Sequence, residues 1–496
     1  MNRALRRISI AVLVMFVLLL INDNYLQGFE AASLATKPGN SRAFYAAQNQ
    51  YERGSILTSD GLTIAASRLS GPNDVIKYQR YYPKGAEYAP VTGYDTLYSQ
   101  TGIEQAENPL LSGNDSALDV RKIIDLITGK TTRGANVTVT INSAAQNAAW
   151  NALATLTQGK PGAVVALNPS TGAILAMASY PSYNPDLLAV HDGNKLIAND
   201  NALLKAPGNP LLNRAINSSF PPGSTFKIVT SSAYLSRTAG SSTQSSVYSP
   251  TVLTLPNGNS LHNNDGEACS VGTGHTTLIT AFAESCDTTF ANLGVQLGSA
   301  AIRNYADLFG MNDQNLTIPL LASPSNYPLL TDKSLTALSA IGQYNDTVTP
   351  LQEAMLSAAI ANHGALMRPY LVQQITASDL STVQTTTPTM LQQTVSPTVA
   401  GEIGQMMLAV VQDSDGTGYQ FNQNAEGVTI AGKTGTAQNG VNNSAASDSV
   451  FTCYAPFDNP QIAVGVIVQG GGYGATVAAP IAVQVIKAYL AYLRTK

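Results

Sequence analysis

At 496 residues the chain is too long for one compact core and is expected to hold two or three domains. Only 12% of its residues are charged, so Ser, Thr, Asn and Gln must supply much of the polar surface. The net charge of −4 gives no basic patch for a phosphate backbone, and no nucleic-acid partner is expected.

The first thirty residues set the compartment. Arg3, Arg6 and Arg7 precede an apolar run from Ile8 to Ile21 that is broken only by Ser9, and Asn22, Asp23 and Asn24 close it. Positive charge ahead of an apolar segment keeps the N-terminus in the cytoplasm and sends the rest across. The run is shorter than the ~20 residues of a full span; Ala4, Leu5, Tyr25 and Leu26 bring it close. A cleaved signal peptide would have a small-residue site directly after the apolar core. A polar tripeptide follows instead, and the small residues at 32–35 come late. Residues 1–27 are therefore expected to form a cytoplasmic tip and one transmembrane helix. The body lies outside the cytoplasm on either reading.

An outside location is oxidising and permits a disulfide between Cys269 and Cys286, the alternative being two reduced cysteines. Cys453, in the apolar stretch 450–455, is expected to be buried and free. No C-x-x-C or H-E-x-x-H occurs, so neither a metal nor a cofactor is expected. The absence of G-x-S-x-G, with only four histidines, points away from a Ser-His-Asp enzyme.

Residues 28–145 are turn-rich, with short β-like runs such as 137–141. A helix pattern covers 144–156, and 162–167 and 173–178 read as a hairpin around the turn 168–172. Helical patterns dominate the middle, interrupted by a Ser/Thr-rich loop at 241–249. Residues 427–431, 449–454 and 461–468 read as strands, and 480–493 as a closing helix. Strands at both ends around a helical middle predict an α+β sandwich with a central antiparallel sheet.

Of all the lysines, only Lys227 has a serine three places before it, Ser224. One such tetrad is expected by chance, but its context is specific. Pro221, Pro222 and Gly223 block a helix before Ser224, and the residues after it favour one. Residues three apart share a helix face, so the Lys227 amine could accept the Ser224 proton. That amine must be neutral, and both burial and a helix N-terminus favour the neutral form. A second group, Lys433, Thr434, Gly435 and Thr436, follows a segment that reads as an edge strand. It offers a cation and hydroxyls to a substrate carboxylate, with Gly435 permitting close backbone approach. In the third group, Ser285, Cys286 and Asp287, Ser285 could relay a proton. Taken singly, each has a plainer reading as a helix turn, a loop or a cap.

The three groups in this order resemble the S-x-x-K, S-x-N and K-T-G signature of penicillin-binding proteins and serine β-lactamases. The segments 162–185 and 213–217, together with Gly342-Gln343, Thr349-Pro350-Leu351 and Asn362-His363-Gly364, are similar to a penicillin-binding transpeptidase domain. Arg53 to Ile56, Asp60-Gly61 and the stretch 82–94 resemble a class B pedestal domain. The best resemblance is to actinobacterial class B proteins of the PbpA type. It implies a β-rich pedestal or dimerisation-like domain over 28–145 and a serine β-lactamase-like transpeptidase domain over 146–496.

The resemblance also implies an acyltransferase acting on peptidoglycan stem peptides through Ser224, Lys227, Ser285 and Lys433. Asp287, Thr434, Gly435 and Thr436 would bind substrate, and the N–H groups of Ser224 and Thr436 would form the oxyanion hole. Penicillins and other β-lactams would acylate Ser224. A SEDS-type glycosyltransferase and cell-wall assembly proteins would be the partners. The family pattern has Asn where this chain has Asp287; a carboxylate cannot donate to a substrate amide, and it opposes a neutral Lys227. That departure keeps a catalytically weak scaffold or sensor in view. A D,D-carboxypeptidase shares the chemistry, and a β-lactamase would need a deacylating glutamate that the sequence does not identify.

Overall fold

The computed structural model describes residues 3–30, 52–74, 76–119, 127, 133–263, 269, 274–422, 427–439 and 445–496. Helix α1 (Arg3–Tyr25) begins it. The side chains from Ile10 to Ile21 are exposed, and among the described residues no helix is long and apolar enough to cross a membrane. The candidate cleavage segment at 32–35 lies outside the described residues.

A six-stranded sheet follows, built from β1 (Ile56–Leu57), β2 (Thr63–Leu69), β3 (Tyr78–Tyr81) and β4 (Asn136–Val139), and completed by two later strands. Its polar anchor is Glu104, which accepts from Arg53 Nε and Arg80 Nε at 2.6 Å each; all three side chains are buried. A buried carboxylate is tolerable only with such full pairing. Gly54 stands beside Arg53 because a Cβ there would collide with the Ala135 carbonyl. Asp60 ties this sheet to the next region by accepting from the Ser143 backbone N–H at 3.2 Å. Ser143 opens α2 (Ser143–Leu156), where the helix dipole favours an anion.

The second sheet has five antiparallel strands: β5 (Gly162–Leu167), β6 (Ile174–Tyr180), then, near the C-terminus, β9 (Ala431–Asn439), β10 (Ala445–Ala455) and β11 (Ile462–Val468). Their spatial order is β9-β10-β11-β5-β6, with every pairing antiparallel. Every residue of β5 and β11 is buried, so this sheet is covered on both faces. Between these strand groups lie α3 (Lys227–Arg237), α4 (Asp287–Leu297), α5 (Pro350–Ala361), β7 (Val372–Thr376), β8 (Thr382–Thr385) and α6 (Pro397–Gln412); α7 (Ala478–Arg494) closes the chain. Helix α5 packs on β5, β10 and β11, while α2 and α7 pack on each other and on the sheet. The α+β architecture with a central antiparallel sheet is thus present.

Strands β7 and β8 join the first sheet through β4, so β1 to β4 share their sheet with strands of the larger region. One continuous apolar core runs from Ile56 and Val137 to Val164 and Ile467. The Ser/Thr-rich stretch 241–249 is not all loop: Ser246–Tyr248 pairs with His275–Thr277. The strand read at 427–431 begins at Ala431 instead and runs through Lys433, Thr434 and Gly435.

Candidate active site

The sequence around Ser224 dictates an unusual local chain path. Phe220 exchanges two backbone hydrogen bonds with Val348, at 2.9 and 2.8 Å, which fixes the entry. Gly223 adopts φ +55°, and its N–H donates to the Gly342 carbonyl at 3.0 Å. Gly342 is itself at φ +75°, and a Cβ there would collide with the Gly223 carbonyl. Both glycines are needed for conformation and for contact.

Ser224 then lies in a 3₁₀ turn, Gly223–Phe226, and the α-helix begins only at Lys227. This differs from the helix start expected at Ser224. The tighter winding eclipses side chains three residues apart, and Lys227 Nζ sits 3.0 Å from Ser224 Oγ. Lys227 is wholly buried in the first turn of α3, so burial and the helix dipole both act against its charge.

The other groups converge on the same amine. Lys227 Nζ is 3.1 Å from Ser285 Oγ, 2.6 Å from the Ser285 carbonyl and 2.7 Å from Asp287 Oδ1. Ser285 is held at φ +62°, a left-handed conformation that costs a non-glycine residue roughly 1–3 kcal/mol. Cys286 follows at the N-cap of α4 and forms a disulfide with Cys269, their Cα atoms 5.8 Å apart. Cys453 is free and buried in β10.

Lys433 projects from the edge strand β9, and its Nζ lies 2.8 Å from the same Ser285 Oγ. The hydroxyl therefore bridges two buried amines. Burial holds Lys433 well below the ordinary lysine range, and the nearby Lys227 charge pushes the same way. Burial also lowers Lys227, although Asp287 pulls it upward by charge and hydrogen bond. Asp287 thus faces the amine and opposes its neutral form without reversing the direction.

Strand β9 lies directly against the nucleophile turn. A Cβ on Gly435 would stand 2.9 Å from the Pro222 carbonyl oxygen, and one on Gly223 would stand 3.1 Å from the Thr436 oxygen. Thr434 is buried, with its hydroxyl 2.6 Å from that of Thr417. The structure thus gathers Ser224, Lys227, Ser285, Asp287, Lys433, Thr434, Gly435 and Thr436 into one place. Sequence reasoning missed the rings of Phe290 and Phe282, whose centroids lie 5.6 and 5.5 Å from the Lys227 and Lys433 amines. It also missed Thr225 and Glu353 behind the turn; a lone acid in the apolar helix 350–361 was the available signal.

Residues 162–487 match the penicillin-binding protein transpeptidase domain, and residues 53–137 match the penicillin-binding protein A dimerisation domain. The chain belongs to the penicillin-binding transpeptidases. It is 41% identical over 502 residues to the peptidoglycan D,D-transpeptidase PbpA of Mycolicibacterium smegmatis, covering 99% of each chain. It is 38% identical to PbpA of Mycobacterium tuberculosis over 498 residues, again covering 99% of each. A solved acyl-enzyme complex of M. tuberculosis penicillin-binding protein A with ceftriaxone superposes with a TM-score of 0.84 at 36% identity, covering 89% of this chain and 99% of that one.

Within this PbpA-type framework the Asp287–Lys227 contact, at 2.7 Å, is a brake on a neutral amine. Replacing the carboxylate by an amide removes the upward pull while burial continues to lower the amine. Asp287→Asn is expected to speed acylation by a fluorescent penicillin at neutral pH and to move the rising limb of the pH profile to lower pH. Stopped-flow acylation checks this, and an unchanged or slower rate contradicts it.

Proposed function

We propose that the protein is a peptidoglycan D,D-transpeptidase with Ser224 as nucleophile and Lys227 as proton acceptor. The observation that carries the reading is the 3.0 Å contact between Lys227 Nζ and Ser224 Oγ, with Ser285 Oγ between Lys227 and Lys433. A neutral Lys227 takes the Ser224 proton as Oγ attacks the carbonyl of the penultimate D-alanine of a donor stem peptide. The N–H groups of Ser224 and Thr436 receive the developing oxyanion, the largest single expected contribution to rate. Ser285 passes the proton from Lys227 to the leaving nitrogen, and the terminal D-alanine departs as the free amino acid. An amine from a neighbouring stem then attacks the ester, gives up a proton to Lys227 and regenerates the Ser224 hydroxyl. The Thr434 and Thr436 hydroxyls and the Lys433 N–H groups donate to the donor's terminal carboxylate, and Gly435 permits its close approach. β-Lactams acylate the same oxygen, and the named activity of the PbpA relatives and the ceftriaxone acyl-enzyme of M. tuberculosis penicillin-binding protein A support that step.

The same reading places the chain at a membrane, with its N-terminus cytoplasmic and residues 28–145 and 146–496 outside as pedestal and catalytic domains. What supports the anchor is α1, where Leu13 and Leu19 are 65% and 63% exposed behind Arg6 and Arg7. Exposed apolar side chains in such a run favour lipid over water. A membrane polymerase of the SEDS type and other wall-assembly proteins would act beside it.

Intact-mass measurement after penicillin treatment tests the chemistry. The native chain is expected to gain one penicillin, and Ser224→Ala none; an equal adduct on Ser224→Ala contradicts the assignment. Carbonate extraction of membranes tests the anchor: the full-length chain stays in the pellet, and release into the supernatant contradicts it.

A further inference from the structure

Glu353 stands within α5, a helix whose every residue is buried, and its side chain is 0% exposed. No step of the acyl transfer uses it. Its Oε1 lies 2.8 Å from Thr225 Oγ1. The same hydroxyl lies 2.8 Å from the Pro222 carbonyl oxygen. A hydroxyl has one proton to donate. Thr225 cannot give a full, unshared hydrogen bond to both oxygens, and both contacts become full hydrogen bonds when Glu353 brings a proton of its own. The acid then donates to Thr225, and Thr225 donates to Pro222. Those two residues bracket Ser224, and the Pro222 carbonyl is the atom that Gly435 of the substrate strand approaches.

We propose that Glu353 is a positioning residue for Ser224: as a neutral carboxylic acid it locks the turn from Pro222 to Thr225 that presents the nucleophile to Lys227. Its other oxygen has no hydrogen-bond partner among the described residues. A buried neutral carbonyl tolerates that far better than a carboxylate would. The groups around it do not supply a counter-charge. Strands β5 and β11 and the short strand 365–367 carry no ionisable residue; β10 carries Asp448, Cys453 and Tyr454, α6 carries Glu402, and Arg214 of the short helix 214–217 gives its guanidinium to the carbonyls of Pro181, Gly208, Asn209 and Leu212. Lys227, two residues beyond Thr225, is engaged with Ser285 and Asp287. Burial is the dominant influence and pushes Glu353 up to about 8.

Loss of the proton leaves two acceptors facing one hydroxyl and puts an unpaired anion beneath the turn. Acylation therefore falls as pH rises through about 8. Stability follows the same sign. The folded protein keeps a proton that the unfolded chain releases near the ordinary value of 4.5, so this contribution is full below 4.5 and is lost as pH rises towards about 8.

The test compares native protein, Glu353→Gln and Glu353→Leu by acylation rate with a fluorescent penicillin and by Tm, from about pH 5 to about pH 10. The amide of the Gln variant still donates to Thr225 but cannot ionise. Glu353→Leu is expected to slow acylation about tenfold or more through a misplaced nucleophile. Glu353→Gln is expected to recover most of that rate, to lose the alkaline decline, and to gain Tm relative to native protein as pH rises. A purely structural glutamate would move Tm without changing the shape of the pH profile. Superimposable profiles for native and Glu353→Gln, or a native rate in Glu353→Leu, overturn the proposal. Where Glu353→Leu does not fold, Thr225→Val replaces it, and a native rate there overturns the proposal equally. The inference rests on Ser224 being the acylated residue, which the adduct test with Ser224→Ala decides separately.

Discussion

Two lysine amines, both fully buried, share one serine hydroxyl: Ser285 Oγ lies 3.1 Å from Lys227 Nζ and 2.8 Å from Lys433 Nζ. Two ammonium ions at such a distance in a dry site would repel strongly, and each would lack water. The constraint is met by keeping the amines short of protons. Lys433 is driven furthest, because burial and the Lys227 charge act together. Asp287 opposes burial at both amines by charge, but only Lys227 also has its hydrogen bond, so Lys227 is driven less far. A pair coupled this closely titrates as a unit, and its neutral form is the one able to take a proton from Ser224.

The fold serves that constraint. Ser224 and Lys227 come from one tight turn, Ser285 from a left-handed residue at the head of α4, and Lys433 from an edge strand. Three separate elements are held in register by packing behind the site. Helix α5 lies under the central sheet with Thr349 as its cap, accepting from Gln352 N–H at 3.1 Å, and Pro350 in its first turn. That placement brings Glu353 to the back of the nucleophile turn. Gly342 and Gly435 let two backbones approach the same turn. The disulfide ties Cys286, between Ser285 and Asp287, to Cys269. An edge strand is suited to holding a substrate, since its outer backbone groups have no neighbouring strand to pair with.

The chemistry-bearing residues were legible because their types and spacing are demanded by the reaction. Long apolar strands such as 462–468 and the helix 143–156 were legible because their periodicity is local. What lay hidden was non-local. The pairing of β7 with β4 joins residues more than 200 positions apart, and nothing in either strand announces it. The strand at Lys433 was placed too early because Val428 and Ile430 alternate like a strand, whereas Lys433 and Thr434 are polar residues buried only by tertiary contacts. The 3₁₀ turn at Ser224 reflects the close approach of Gly342, more than 100 residues away. Glu353 could be seen as an acid in an apolar helix, but its partner Thr225 lies 128 residues earlier, and only the fold joins them.

Burial wins over Asp287 at the Lys227 amine. The direct measurement is an NMR titration of isotope-labelled lysine side chains in the full-length protein, with the Lys227 signal assigned by its loss in Lys227→Arg. This amine is expected to lose its proton below the ordinary lysine value of about 10.4. A midpoint at or above that value would mean that Asp287 prevails and that Lys227 is held charged, which contradicts its role as proton acceptor.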